Sequence, residues 1–536
     1  MSHPFGNDHN RFGSAAFVRR EELEDAGFFS QTPTSLYCGE FNGRPLHYSG
    51  DGGAVMVGGA RGGKFIGILG QLLCSGLHSG GSLLMLDLKG EGGAVSHDQT
   101  PDRKYCIYWN PPKLHGLPQH RINPVDYLKK SSVSLFADVK VFVESVIPRS
   151  AAAQSEYFEL RGREYMEAIC HTLIELNGIL TLPDLYEAVN LIALNDARWK
   201  EFAYEMYCSG NPLCRRVEAE IAASRDDSSG GFRGILGEMF KSVACLSDPV
   251  LRDSVSPPYD FSLNDLCSYD QFVQFYMICA PETVSIWAPV IKSIFTAAMI
   301  YKSRQPQAPT QTWVLDECAQ LKGFELVPKM FTYGAGIGIR PFAVFQSLKQ
   351  MDALDKNARD IILSSAALQI YFAIRDLGTA QALSNTLGAE TLTFDDPLHQ
   401  GRAELEREAA LRAIFGGADP FAAAAGLFQK SYEARHLSKI RRMMMNPDEL
   451  MNMPGGSAIL RVSGLSGPVL VDIPPYWTQS WMAGRYHPNP YHPPSDKVLV
   501  QTRWGSRWRP AITEPVPDEF AHYPQYASGL WSRIGR

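Results

Sequence analysis

Three short blocks hold residues that could do chemistry together: Gly58-Gly59-Ala60-Arg61-Gly62-Gly63-Lys64, then Trp313-Val314-Leu315-Asp316-Glu317, then Ala343-Val344-Phe345-Gln346-Ser347. The first has the G-x-x-x-x-G-K spacing of a phosphate-binding loop. Its glycines let backbone N–H groups turn toward phosphate oxygens, and its lysine meets the β- and γ-phosphates. An apolar strand over 54–57 precedes the loop and a helix over 65–77 follows it, which is the context the motif requires. The second block ends an apolar strand on two carboxylates, one to orient Mg²⁺ and one to position an attacking water. Together the blocks predict hydrolysis of a nucleoside triphosphate. Phe65, however, stands where the motif places a Ser or Thr hydroxyl as a Mg²⁺ ligand. Either water fills that position and hydrolysis persists, or nucleotide is bound and turned over poorly.

Strands and helices must hold these blocks. Apolar runs at 54–57, 82–86, 274–279, 312–315, 341–345 and 368–374 alternate with helical stretches, a pattern typical of a parallel sheet covered on both faces. The nucleotide site of such a sheet lies at the strands' carboxyl ends. Between 129 and 257 the periodicity turns helical: Phe158, Tyr165, Ile169, Leu173 and Leu176 form one stripe, and Thr181-Leu182-Pro183-Asp184 reads as a helix start. The expected organisation is a leader over 1–49 with two short edge strands, then an α/β domain split into 50–128 and 258–477. An all-α domain over 129–257 interrupts it, either as a structural cap or as a substrate-contacting module. A charged, alanine-rich stretch over 389–437 is expected to be a surface helical insertion. A proline- and aromatic-rich tail over 478–536 completes the chain.

At 536 residues the chain exceeds one ordinary core. Its net charge of -6 excludes a bulk polycation, so contact with DNA would need a local patch or channel. Ten cysteines include no C-x-x-C pair and read as small buried hydrophobes in a reducing compartment. The histidines make no zinc-type spacing. No signal peptide is visible at the start, and apolar stretches such as 272–280 and 286–300 fall short of the ~18 residues of a membrane span. The chain is expected to be soluble.

The ordered set of blocks resembles the type IV secretion coupling proteins of conjugative DNA transfer. Gly58 to Lys64 is followed by Leu86-Asp87-Leu88-Lys89-Gly90-Glu91, Arg121-Ile122-Asn123-Pro124-Val125-Asp126 and Leu315-Asp316-Glu317-Cys318-Ala319-Gln320-Leu321. Then come Gly336 to Arg340, Gln346-Ser347, Asp376 with Thr379-Ala380, Asn446-Pro447-Asp448-Glu449-Leu450 and Pro474-Pro475-Tyr476-Trp477. The resemblance covers about residues 50–477. It implies a RecA-like P-loop NTPase carrying an all-α domain, using ATP and Mg²⁺ and working as a homo-hexamer. The implied partners are inner-membrane components of the secretion system, a relaxase or relaxosome or effector proteins, and single-stranded DNA. Carried over residue by residue, the loop Gly58, Gly59, Ala60, Arg61, Gly62, Gly63, Lys64 and Phe65 would hold phosphates. Asp316 would orient Mg²⁺ through water, Glu317 would polarise the attacking water and Gln346 would sense the γ-phosphate. Arg340 and Arg375 are the two candidates for an arginine finger reaching a neighbour's nucleotide.

Two functions follow as expectations. One is a coupling ATPase that recruits DNA–protein complexes or effectors and drives them to a type IV secretion channel. The other is a catalytically weak nucleotide-binding docking platform for substrates or chaperones. Without a spanning helix the expected place is the cytoplasm, peripheral to the inner membrane through partner proteins. In the tail, Arg503-Trp504-Gly505-Ser506-Arg507-Trp508-Arg509 could stack on bases and neutralise phosphates. The tryptophans could equally pin the tail to the domain surface, and pinning is the reading adopted here.

Overall fold

A computed structural model describes residues 13–74, 80–96, 104–147, 153–225, 230–394, 404–405, 407–409, 411–412, 415–416, 438–482, 485–492, 496–502, 504–522 and 529–535. The strands are β1 (Leu36–Phe41), β2 (Arg44–Tyr48), β3 (Ala54–Gly58), β4 (Ser82–Asp87), β5 (Lys104–Trp109), β6 (Phe272–Ile278), β7 (Gln311–Leu315) and β8 (Ile339–Phe345). They continue with β9 (Leu368–Phe372), β10 (Ala389–Phe394), β11 (Ser438–Met443), β12 (Ser457–Val462), β13 (Val469–Asp472), β14 (Lys497–Thr502), β15 (Gly505–Pro515) and β16 (Leu530–Ile534). One eleven-stranded sheet has the order β2-β1-β13-β12-β9-β3-β8-β7-β4-β6-β5. From β9 to β5 all neighbours run parallel. Every residue of β3, β4, β7 and β8 is buried, as expected where helices cover both faces. The chain is thus α/β, with the mostly parallel sheet of a RecA-like NTPase.

The chain forms two compact units. The larger comprises Arg20–Ala373, Pro454–Ser463 and Leu470–Arg536; the smaller comprises the described parts of Met1–Arg19, Ile374–Met453 and Gly464–Val469. Residues 374–453, read from the sequence as part of the second sheet segment, belong to the smaller unit. In the smaller unit, helix Leu377–Leu387 is capped by Asp376, which accepts from the Thr379 amide at 2.8 Å. Strands β10 and β11 pair antiparallel. Glu449 closes a capping box on Asn446 at 2.8 Å. Most of 395–437, including the alanine run, lies outside the described residues.

In the larger unit the chain leaves the sheet after β5 and returns at β6, and helices fill the interval from Leu135–Val146 to Pro249–Ser254. Helix Ala153–Asn177 buries Tyr165, Ile169 and Leu173, whereas Leu176, assigned to the same stripe, is exposed. Helix Leu182–Leu194 starts on Thr181, whose hydroxyl accepts from the Asp184 amide at 3.2 Å. The Arg121–Asp126 block stitches the exit and return of this excursion. Arg121 bonds Asp253 at 2.6 Å through its guanidinium and Asp260 at 2.7 Å through its amide. Asp126 accepts from Ser262 at 2.6 Å and Tyr301 at 2.7 Å.

Helix Val284–Arg304 is long and apolar enough to cross a membrane by length and composition, but 83% of its most apolar window is buried, as in a core helix. Nine of the ten cysteines are buried thiols; Cys208 is exposed, contrary to the reading of all ten as core residues.

Candidate nucleotide site

Strand β3 delivers Gly58 at its carboxyl end, and the loop turns there on backbone conformations that its glycines permit. Gly63 has φ +85°, and Arg61, exposed, is also left-handed at φ +57°. A Cβ on Gly58 would meet the Phe372 ring at 2.8 Å, and one on Gly62 would meet Ala373 at 2.7 Å. Both positions therefore exclude side chains through close packing. The Gly62 amide bonds Gly59 O at 3.0 Å and the Gly67 amide bonds Gly63 O at 2.8 Å, fixing the loop to the helix it starts. That helix opens with a wide π turn over Phe65–Leu69, the Gly70 amide reaching back to Phe65 O. Such turns occur often at functional sites.

Lys64 Nζ donates to Gly58 O at 3.1 Å and lies 3.9 Å from Glu317 Oε1. Strand β7 ends at Leu315, so Asp316 and Glu317 emerge from the carboxyl end of a strand two places from β3. Glu317 takes a left-handed backbone, φ 51°, rarely adopted by a residue with a side chain. Its amide bonds Asp316 Oδ1 at 3.1 Å. Gln346, just past β8, donates from Nε2 to both Glu317 oxygens at 2.8 and 2.9 Å. Gln350 Oε1 in turn accepts from the Gln346 backbone N–H at 2.8 Å. Three sequence-predicted residues, Lys64, Glu317 and Gln346, are thus brought together.

Burial pushes the Asp316 carboxyl up to about 6, and the adjacent Glu317 adds to the rise, while Lys64 and Lys89 oppose it. Asp87, at the end of β4 and 2% exposed, is pushed up to about 7, chiefly by burial. The Gly93 amide donates to Asp87 at 2.8 Å and works against that rise. A carboxyl that is costly to ionise beside another carboxylate gains from a cation. The residues therefore fit a Mg²⁺-bearing nucleotide, with Asp316 as the group that would hold the metal and the glycine loop with Lys64 as the group that would hold phosphates.

Two predicted residues are placed otherwise. Arg340 sits at the amino end of β8, six residues before Gln346, or roughly 20 Å along the strand. It is 2% exposed. Its guanidinium donates to Thr34 O, to Gly50 O at 3.3 Å and to Thr312 Oγ1 at 3.0 Å. A side chain spent on tying the leader to the opposite rim cannot serve as a finger, so the Arg340 assignment is corrected to a structural one. The Phe65 ring stands edge-on to Tyr476 with centroids 6.2 Å apart, so its side chain is a packing group. Arg375 is exposed and lies three residues past β9, where the smaller unit begins.

Sequence reading missed Gln350 and the tail's contacts with the β4 block. Asn489 donates to Glu91 at 2.7 Å and Tyr491 donates to Lys89 O at 3.0 Å. The tail is anchored by these contacts and by buried Tyr486, Val498 and Val500. Trp504 is 82% exposed and Trp508 53%, so the adopted reading of pinned tryptophans is corrected.

Comparison with known proteins bears on the family and the fold. The family described as type IV secretory system conjugative DNA transfer matches residues 6–402. Two Escherichia coli proteins, each called conjugal transfer protein TraG, are 20% identical over 483 residues and 22% over 486, covering 83% of this chain and 71% of each relative. Plasmid coupling protein TrwB, solved with the ATP analogue ADPNP, is similar in fold at TM-score 0.60 and 15% identity, over 87% of this chain and 95% of that one. TrwB with ADP and Mg²⁺ gives 0.58 and 16%, over 87% and 95%. With the family match spanning most of the sequence and the phosphate-loop fold beneath it, the chain belongs to the type IV secretory system conjugative DNA transfer family of coupling proteins.

Proposed function

We propose that this protein is an ATP-driven coupling motor that recruits DNA–protein complexes or effector proteins and drives them to a type IV secretion channel. The observation that carries the proposal is the bond pair from Gln346 to Glu317, set 3.9 Å from the phosphate-loop lysine. Gln346 fixes the carboxylate, and a fixed carboxylate can orient and polarise an attacking water. Phosphate oxygens are stronger partners for Lys64 than the Gly58 carbonyl, so nucleotide binding draws the lysine away from Glu317 and leaves that carboxylate to water. Bound Mg²⁺ would supply charge neutralisation between the phosphates, with Asp316 as its water-mediated holder. The relatives support the cofactors: TrwB has been solved with an ATP analogue and with ADP and Mg²⁺.

The further parts of the proposal follow the family. The working form is a homo-hexamer in which Arg375 reaches a neighbour's nucleotide. Residues 129–257 read the relaxase, relaxosome or effector. Inner-membrane secretion components hold the protein at the cytoplasmic face of the membrane. Phe65, in place of a hydroxyl, favours a second reading: a slow or inert nucleotide-bound docking platform. Steady-state ATP turnover, with and without single-stranded DNA, together with the mass of the assembly in ATP, tests the choice. Turnover rising more than linearly with protein concentration supports the motor. A strict monomer without turnover contradicts it.

A further inference from the structure

We propose that the β14–β15 hairpin and the aromatic cavity beside it form a stacking site for single-stranded nucleic acid. This deepens the motor reading and rests on it for the nature of the cargo.

A cavity of about 290 Å³ is lined by Trp477, His492, Lys497, Leu499 and Trp508, with Tyr476 among its other walls. The Trp477 and His492 rings lie 5.6 Å apart. Asn489 bonds both Glu91 and the Tyr476 hydroxyl, at 2.7 and 3.2 Å, so the Tyr476 side of the cavity is held by buried contacts rather than by loose loop. In the hairpin register Trp508 opposes Leu499 and Pro510 opposes Lys497. Opposed residues and alternate residues share a face of a strand pair. An indole, an apolar side chain and an ammonium therefore stand on one face at the cavity, while Trp504, 82% exposed, stands at the hairpin tip.

Charge selects the occupant. The whole chain is net -6, yet residues 478–536 hold seven Lys and Arg against four Asp and Glu. Lys497 is exposed on the Trp508 face and lines the cavity, while exposed Arg507 and half-exposed Arg509 alternate to the other face of the hairpin. Of the acids on these strands, Glu514 is already engaged by Arg533 at 2.6 Å, and Asp496 is an exposed carboxylate next to Lys497. An exposed indole beside the Lys497 ammonium, next to a hollow wide enough for a flat heterocycle and with Arg507 and Arg509 on the reverse face of the same hairpin, suits unpaired bases on a phosphate backbone. Bases in a duplex are already stacked and cannot offer their faces.

The test measures anisotropy of a labelled oligothymidylate against full-length wild type, Trp504→Ala, Trp508→Ala and Trp508→Phe, with a duplex as control. Each alanine variant should weaken binding about five- to a hundred-fold. Trp508→Phe should retain most of the affinity, and wild type should prefer the single strand over the duplex. Should Trp508→Ala misfold, the exposed Trp504→Ala and the conservative Trp508→Phe carry the comparison. Equal affinity in wild type and the alanine variants, no binding by wild type, or a changed oligomeric state with unchanged affinity would each overturn the proposal. Binding of a fluorescent ATP analogue, measured alongside, should be the same in all variants. Its loss in wild type would count against the motor reading and leaves the oligonucleotide comparison to stand separately.

Discussion

Gln346 donates to both carboxylate oxygens of Glu317, at 2.8 and 2.9 Å, from a position 29 residues away in sequence. Parallel pairing of β7 with β8 brings them together, since each residue lies just past the carboxyl end of its strand. Gln346→Ala removes both donors and frees Glu317 to move. Turnover should fall about ten- to a hundred-fold with little change in KM for ATP, as expected for lost positioning rather than lost binding. An unchanged kcat would show that Glu317 needs no holder.

The raised carboxyl of Asp87 gives a dependence of stability on pH. Its folded value of about 7 lies above the ~3.9 of an unfolded chain, so between these the native state binds more protons and stability falls as pH rises. Asp87→Asn keeps an acceptor for the Gly93 amide and removes the cost of burying a charge. At pH 8 the variant should be more stable by on the order of 2 to 4 kcal/mol. The two proteins should converge near pH 4, as read by denaturant melts across that range. A variant less stable than wild type at pH 8 would contradict the assignment.

Phe65→Thr supplies the missing hydroxyl and gives up the edge-on contact with Tyr476, at a cost of about 1 kcal/mol or more of stability. If the absent ligand limits hydrolysis, Mg²⁺-dependent turnover should rise several-fold despite that cost. Unchanged turnover in a folded variant would show that Phe65 does not limit the reaction.

Arg340→Ala should behave as a core defect. Removing it leaves the Thr34 and Gly50 carbonyls without their donor and opens a void, for a loss of roughly 2 to 5 kcal/mol. Turnover per folded molecule should stay near wild type. A large loss of turnover without loss of stability would restore Arg340 to the active site.

Lys64, Asp316 and Glu317 were legible in the sequence because each follows an apolar run at a fixed spacing, and local spacing determines which strand end a residue occupies. The same logic spoke against Arg340, since a residue six places before Gln346 on one strand must sit on the other rim. Strands β12 and β13 and the separate unit over 374–453 were not legible. They depend on pairings between residues far apart in sequence, such as Ile459 with Tyr371, which no local pattern encodes. Strand β5 was missed because Lys104-Tyr105-Cys106-Ile107-Tyr108-Trp109 mixes charge and aromatics instead of showing a plain aliphatic run. The tail's tryptophans read alike whether pinned or exposed, because composition does not record which face a strand presents.

The central claim is that Lys64 binds nucleotide and Glu317 spends it. The direct measurement is ATP affinity and single-turnover hydrolysis in Lys64→Ala and Glu317→Gln beside wild type. Lys64→Ala should lose ATP affinity, and Glu317→Gln, still able to bond Gln346 through its amide, should bind ATP normally and hydrolyse it at least about a hundred-fold more slowly. Equal affinity and turnover in wild type and Lys64→Ala would contradict the account.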